Sequence, residues 1–65
     1  MIRRKMIEMG ISAEKLASEA GVSLSTVHRV LAGRRINRNN LEHICRALNI
    51  QIAAFLQQEK DHNNG

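Results

Sequence analysis

Sixty-five residues, 43% of them apolar, hold one small domain; a single Phe and no Trp or Tyr make its core aliphatic. One cysteine excludes an internal disulfide, and no apolar run approaches the roughly 20 residues that span a bilayer. The net charge of +4 selects an anionic partner, nucleic acid first, and no apolar signal core follows the basic start MIRRKMIEMG, so a cytoplasmic, nucleoid-associated chain is expected.

The pattern is helical from end to end. There is no Pro, and no segment alternates apolar and polar residues beside hairpin signals. A first helix is expected over 2–9, with Ile2, Met6 and Met9 on one face, the methionines filling the core, and Gly10 ending it. Ser12 caps a second helix that carries Glu14 in its first turn and ends near Ala20, before Gly21. Ser23 caps a third over 24–32, which stops at Gly33. The polar connection GRRINRNN follows. Either Asn37 or Asn39 caps the fourth helix, Asn39 gaining support from Glu42 three residues on. Leu41, Ile44, Cys45 and Leu48 form its apolar stripe, and Asn49 stops it. A short fifth helix over 51–58 carries Ile52, Phe55 and Leu56. The polar end of the chain has no periodic apolar residues, so a domain over 1–56 and a fraying tail over 57–65 are expected. The fold class is all-α, a compact five-helix domain.

The segment AEKLASEAGVSLSTVHRVL, from Ala13 to Leu31, is the most specific feature. Ala17, Gly21 and Val27 are spaced for two short helices joined by a tight turn. A small Ala17 lets the second of the pair cross close over the first. Gly21 takes the positive φ that reverses the chain, and Val27 points back into the corner. Such a pair presents the outer face of its second helix as a rigid reading head for the DNA major groove.

Charge distribution agrees. No acid lies between Glu19 and Glu42, while Arg29, Arg34, Arg35 and Arg38 all fall there. The bland alternative is a solvated loop with scattered charge. Arg34, Arg35 and Arg38, with Asn37 and Asn39, are expected over the sugar-phosphate backbone beside the groove, where contacts position the protein and set its salt dependence.

These residues identify a resemblance. GIS before the second helix, E-x-L-A-x-x-A-G-V-S at Glu14 to Ser23, S-T-V-x-R-V-L-A-G at Ser25 to Gly33 and the ending ICRALNIQIAAFL resemble the lambda-repressor-like helix-turn-helix family of phage repressors, Cro proteins and small bacterial regulators. The resemblance covers residues 2–56. Two positions depart from it. Ala13 stands where many members carry a phosphate-gripping Gln, which leaves backbone N–H groups or Lys15 for that contact. Lys5 stands where the first helix is often apolar. The Gly-Val-Ser-x-x-Thr-Val-x-Arg-Val-Leu string is also similar to the headpiece of lactose-repressor-type proteins, but the ending fits the repressor and Cro group better.

Carried over position by position, the resemblance implies that Leu24, Ser25, His28 and Arg29 lie where bases or groove edges are touched. Arg29 is the strongest base reader, since its guanidinium can donate two bonds to a guanine edge; its alternative is a phosphate clamp. Leu24 suits a thymine methyl, or packs against the turn. His28 bonds a base or phosphate, better when protonated, or is an exposed surface imidazole. Ser25 and Thr26 offer hydroxyls to phosphate, though Thr26 equally suits solvation at the helix start. Ser23 is first an N-cap, and the N–H groups it caps form a phosphate site. The family's dimer contact often involves the fifth helix. Ile50, Ile52, Phe55 and Leu56 exceed what so short a segment needs for its own packing. A homodimer on a palindromic operator, reading two half-sites about one DNA turn apart, is therefore expected.

Enzyme chemistry finds no support. The string Ser12-Ala13-Glu14-Lys15 matches the S-x-x-K of some acyl enzymes but sits at a helix start in a chain too small for that fold. His28, His43 and His62 with Cys45 lack metal-ligand spacing, Cys45 lies on an apolar stripe, and there is no glycine-rich phosphate loop. No cofactor, metal or small-molecule ligand is expected. The leading reading is a sequence-specific double-stranded DNA-binding regulator, a repressor by type. The competing readings are an antitoxin-type protein-interaction module and a DNA-binding fragment of a larger regulator.

Overall fold

The computed structural model describes residues 1–56. The tail expected over 57–65, and the last two residues of the expected fifth helix, lie outside them. The described residues form four helices, α1 (Ile2–Met9), α2 (Ala13–Ala20), α3 (Leu24–Leu31) and α4 (Arg38–Ala47), followed by helical residues 52–56, with no strand among them.

Each boundary has a local cause. Ser12, Ser23 and Asn37 are extended N-caps whose side-chain oxygens accept from the third helical N–H, of Lys15 (3.1 Å), Thr26 (3.1 Å) and Asn40 (2.8 Å). The choice between Asn37 and Asn39 thus falls to Asn37. Asn39 is inside α4, and Glu42 pairs with Arg38 instead of closing a capping box. A left-handed residue follows each of the four helices, directly after α1 and α2 and one residue further on after α3 and α4. Gly10, Gly21 and Gly33 have φ of 67°, 73° and 81°, and Asn49, the only non-glycine at positive φ among the described residues, has 59°. In each case the next N–H returns to a carbonyl five residues back: Ile11 to Met6, Val22 to Ala17, Arg34 to Arg29 and Ile50 to Cys45. The third helix stops one residue short of expectation, with Ala32 at its C-cap.

α2 is the central element and packs against both α3 and α4. Leu16, Val27, Ile44 and Leu48 are fully buried, and Ala17, Ala20, Leu41, Cys45, Ile2 and Met6 complete the core. Each fully buried Leu, Ile or Val contributes roughly 1.5–3 kcal/mol of hydrophobic stabilisation. No polar side chain is buried among the described residues. The expectation that the methionines fill the core is corrected. Only Met6 is buried; Met9 stays 43% exposed in the last turn of α1, just before the reversal at Gly10, and Met1 precedes the helix. In a helix of only eight residues, Ile2 and Met6 already occupy the inward face.

Candidate nucleic-acid interface

α3 is gripped at both ends and along one side. At its start, Ser23 and Thr26 share a hydroxyl–hydroxyl bond of 2.9 Å in addition to the cap. At its end, the guanidinium of Arg3 donates to the Leu31 carbonyl at 3.4 Å, tying α1 to the C-terminus of α3 across 28 residues of sequence. A cation is favourable there because a helix ends in unpaired carbonyls. Val27 is fully buried against the core, with Val30 and Leu31 half-buried beside it. Ala17, also buried, lies on the α2 stripe with Leu16 and Ala20. At the corner between α2 and α3, Gly21 thus takes the positive φ and Val27 the inward position that the spacing implied.

The opposite side of α3 is open. Leu24 is 38% exposed, and Ser25, His28 and Arg29 are exposed as well. On a 3.6-residue period Ser25 and Arg29 lie opposite Val27, with Leu24 and His28 on one flank and half-buried Thr26 on the other. The four base-reading candidates thus share one continuous helix surface. His28 and Arg29 occupy the last turn, the end that favours positive charge.

The phosphate candidates fall into three groups. Ser23, Thr26 and Asn37 are engaged in capping, which orients the N–H groups of α3 and α4 but occupies part of their own bonding capacity. Arg34 and Arg35 are exposed on the connection after Gly33, which half-buried Ile36 pins to the core. Lys15 and Arg38 are exposed but face carboxylates, Lys15 Nζ–Glu19 Oε2 at 3.6 Å and Arg38 Nε–Glu42 Oε2 at 3.4 Å. Asn39 is exposed in the first turn of α4. Neither α3 nor α4 has an acid in its first turn, so both helix starts keep their positive character.

The four dimer candidates are less free than their composition implied. Ile50, Ile52, Phe55 and Leu56 are all half-buried and pack against the core, so part of the apolar surplus is used inside the monomer. Ile50 and Ile52 also border an open depression of about 250 Å³ beside Glu42, Cys45 and Arg46. Cys45 is a core thiol whose pKa burial pushes up. Among the described residues no His, Cys, Asp and Glu group could hold a metal, and no helix is long and apolar enough to cross a membrane.

Two features are absent from the sequence reading. One is the Arg3 clamp on α3, which depends on a tertiary approach. The other is Ile7, 74% exposed on the outer side of α1. A helical wheel would have found it, since it falls off the Ile2–Met6 stripe.

A family model described as the Cro/C1-type HTH DNA-binding domain matches residues 1–61. No curated protein and no solved structure matches the chain.

Proposed function

The chain belongs to the Cro/C1-type helix-turn-helix DNA-binding family, and from that premise we propose that it is a cytoplasmic, non-enzymatic transcription repressor that lays α3 in the major groove of a palindromic operator as a homodimer. The observation that carries this reading is the two-sidedness of α3, with Val27 fully buried and Leu24, Ser25, His28 and Arg29 exposed on one surface. A helix held this way meets base edges without rearranging. Arg29 reads a guanine edge; Leu24, Ser25 and His28 refine the choice. Ser23, Thr26, Lys15, Arg34, Arg35, Asn37, Arg38 and Asn39 grip phosphates on either side. Ile50, Ile52, Phe55 and Leu56 supply the apolar part of the dimer contact.

Selection of bound duplexes from a random pool tests the reading as a whole. A recovered palindrome supports sequence reading by a dimer; no motif, with a protein partner captured instead, points to an interaction module. Binding should fall steeply with salt. Roughly six to ten phosphate contacts in a dimer give a log–log slope of about −5 to −9, and a slope near zero sinks DNA binding. Arg29→Ala and Arg35→Ala separate base from phosphate. The first should relax preference at one base pair per half-site, costing about 1–3 kcal/mol for the preferred base. The second should weaken all sequences alike and make the slope shallower by about one unit for each phosphate that Arg35 neutralises. A uniform loss from Arg29→Ala would make it a clamp and pass base reading to Leu24, Ser25 and His28.

A further inference from the structure

We infer that Glu19 and Glu42 are internal stand-ins for DNA phosphate, each holding one cation of the interface at a helix start until a phosphate replaces it. The inference rests on the DNA-binding reading above and adds to it a division of the basic residues into two kinds. Lys15 is the third residue of α2 and Arg38 the first of α4. A helix start carries positive partial charge, so a cation there is disfavoured by the helix itself. A cation placed four residues before an acid is also the poorer order for pairing along a helix. Dipole and order thus favour neither position, most plainly Arg38, because the first turn of α4 holds no acid while that of α2 has Glu14 beside Lys15. An anion supplied from outside does explain them, because the exposed N–H groups of a helix start and an adjacent cation then act on the same charge.

Each cation meanwhile faces a carboxylate one turn on, at 3.6 Å for Lys15–Glu19 and 3.4 Å for Arg38–Glu42. These are the ion pairs among the described residues. The side chains keep 60% and 49% of their exposure in the first pair and 62% and 41% in the second. Water and salt weaken pairs so exposed, which makes them quick to exchange. Arg29, Arg34 and Arg35 carry no such partner among the described residues. Glu19 and Glu42 are also the two acids that bracket the acid-free window of the sequence. The chain thus keeps acids out of the window, while one helical turn sets Glu42 on Arg38 inside it and Glu19 on Lys15 just outside it. When phosphate displaces a carboxylate, the pair is broken and the acid is left close to the DNA charge. Both effects lower general DNA affinity, and neither depends on base sequence.

A binding cycle tests this, with Glu42→Gln, Arg38→Met and the double variant on one operator duplex and one scrambled duplex. Glu8→Gln, an exposed substitution on α1 that removes the same charge elsewhere, is the control. An exposed pair at this spacing is worth roughly twofold in an equilibrium constant, so Glu42→Gln should tighten binding about twofold per half-site on both duplexes. In the Arg38→Met background the pair is already gone and only the repulsion between acid and DNA remains, so its gain should shrink towards that of Glu8→Gln. Glu19→Gln with Lys15→Met should behave in the same way. A Glu42→Gln gain equal to that of Glu8→Gln, or one that persists undiminished without Arg38, overturns the inference while leaving DNA binding intact. A wild-type chain that binds neither duplex overturns the DNA-binding reading itself, and this inference with it.

Discussion

Gly21 offers the most direct test of how the helix-turn-helix corner is held. Its φ is 73°, in the left-handed region, and its N–H donates to the Ala17 carbonyl at 2.9 Å while Val22 N–H reaches the same oxygen at 3.1 Å. A Cβ built on Gly21 meets no atom within 4 Å. Substitution by alanine therefore brings no clash, and its effect is a matter of backbone alone. An L-residue in this conformation costs about 1–2 kcal/mol. Against this, alanine reduces the freedom of the unfolded chain, which returns about 0.4–1 kcal/mol. Gly21→Ala should thus destabilise by roughly 1 kcal/mol, a sizeable share of the ~3–10 kcal/mol that a chain of this length carries. A domain of 65 residues is within reach of chemical synthesis, which allows D-alanine at the same position. By mirror symmetry the two alanines restrict the unfolded backbone nearly equally, so their difference isolates the native strain. The D-alanine protein should melt above the glycine protein and the L-alanine protein below it. The two should differ by about 1–2 kcal/mol, or roughly 4–16 °C in Tm. Thermal melts followed by circular dichroism read this out. Equal melting of the L- and D-alanine proteins would mean that the corner does not depend on a left-handed residue and that the reasoning is wrong.

Ala17→Leu should lower stability by about 1–3 kcal/mol or more through overpacking, because Ala17 is buried on the face of α2 that also carries Leu16 and Ala20; an unchanged Tm would show that this side has room. Phe55→Ala should melt the monomer earlier by about 1–3 kcal/mol, less than a fully buried Phe would lose, since Phe55 is half-buried against the core. If instead only the concentration dependence of assembly changes, Phe55 belongs to the dimer contact. Cys45 should react with thiol reagents only as fast as the domain opens, with modification tracking the denaturant unfolding curve. Because burial raises its pKa, the unfolded chain releases the thiol proton at a lower pH than the folded one. Stability should therefore decline as pH rises through the usual thiol range, and Cys45→Ala should remove that decline; a pH-independent difference between the two proteins would contradict it.

Local signals in the sequence were enough to place the starts of α2 and α3 and, to within a residue, the stops of α1 to α4, while the start of α4 stayed open between Asn37 and Asn39. Ser12, Ser23 and Asn37 cap through atoms three residues away, and Gly10, Gly21, Gly33 and Asn49 reverse the chain through their own φ, so no distant residue is needed. The inward stripe of α2 and the burial of Val27 and Cys45 follow from the helical period for the same reason. The open face of α3 is the complement of that period, which is why its four candidate readers were legible. Tertiary structure decided what depends on distance between elements. It set Arg3 on the carbonyl of Leu31, left Met9 outside a core already filled by Ile2 and Met6, and covered half of Ile50, Ile52, Phe55 and Leu56. The pairing of Arg38 with Glu42 lies between the two. Its spacing is helical, but it could be read only once Asn37, rather than Asn39, was known to start α4 and so to bring Arg38 inside the helix. Capping and periodicity act within one turn of chain, whereas burial is shared among all the elements that meet at a point, and no single segment contains that information.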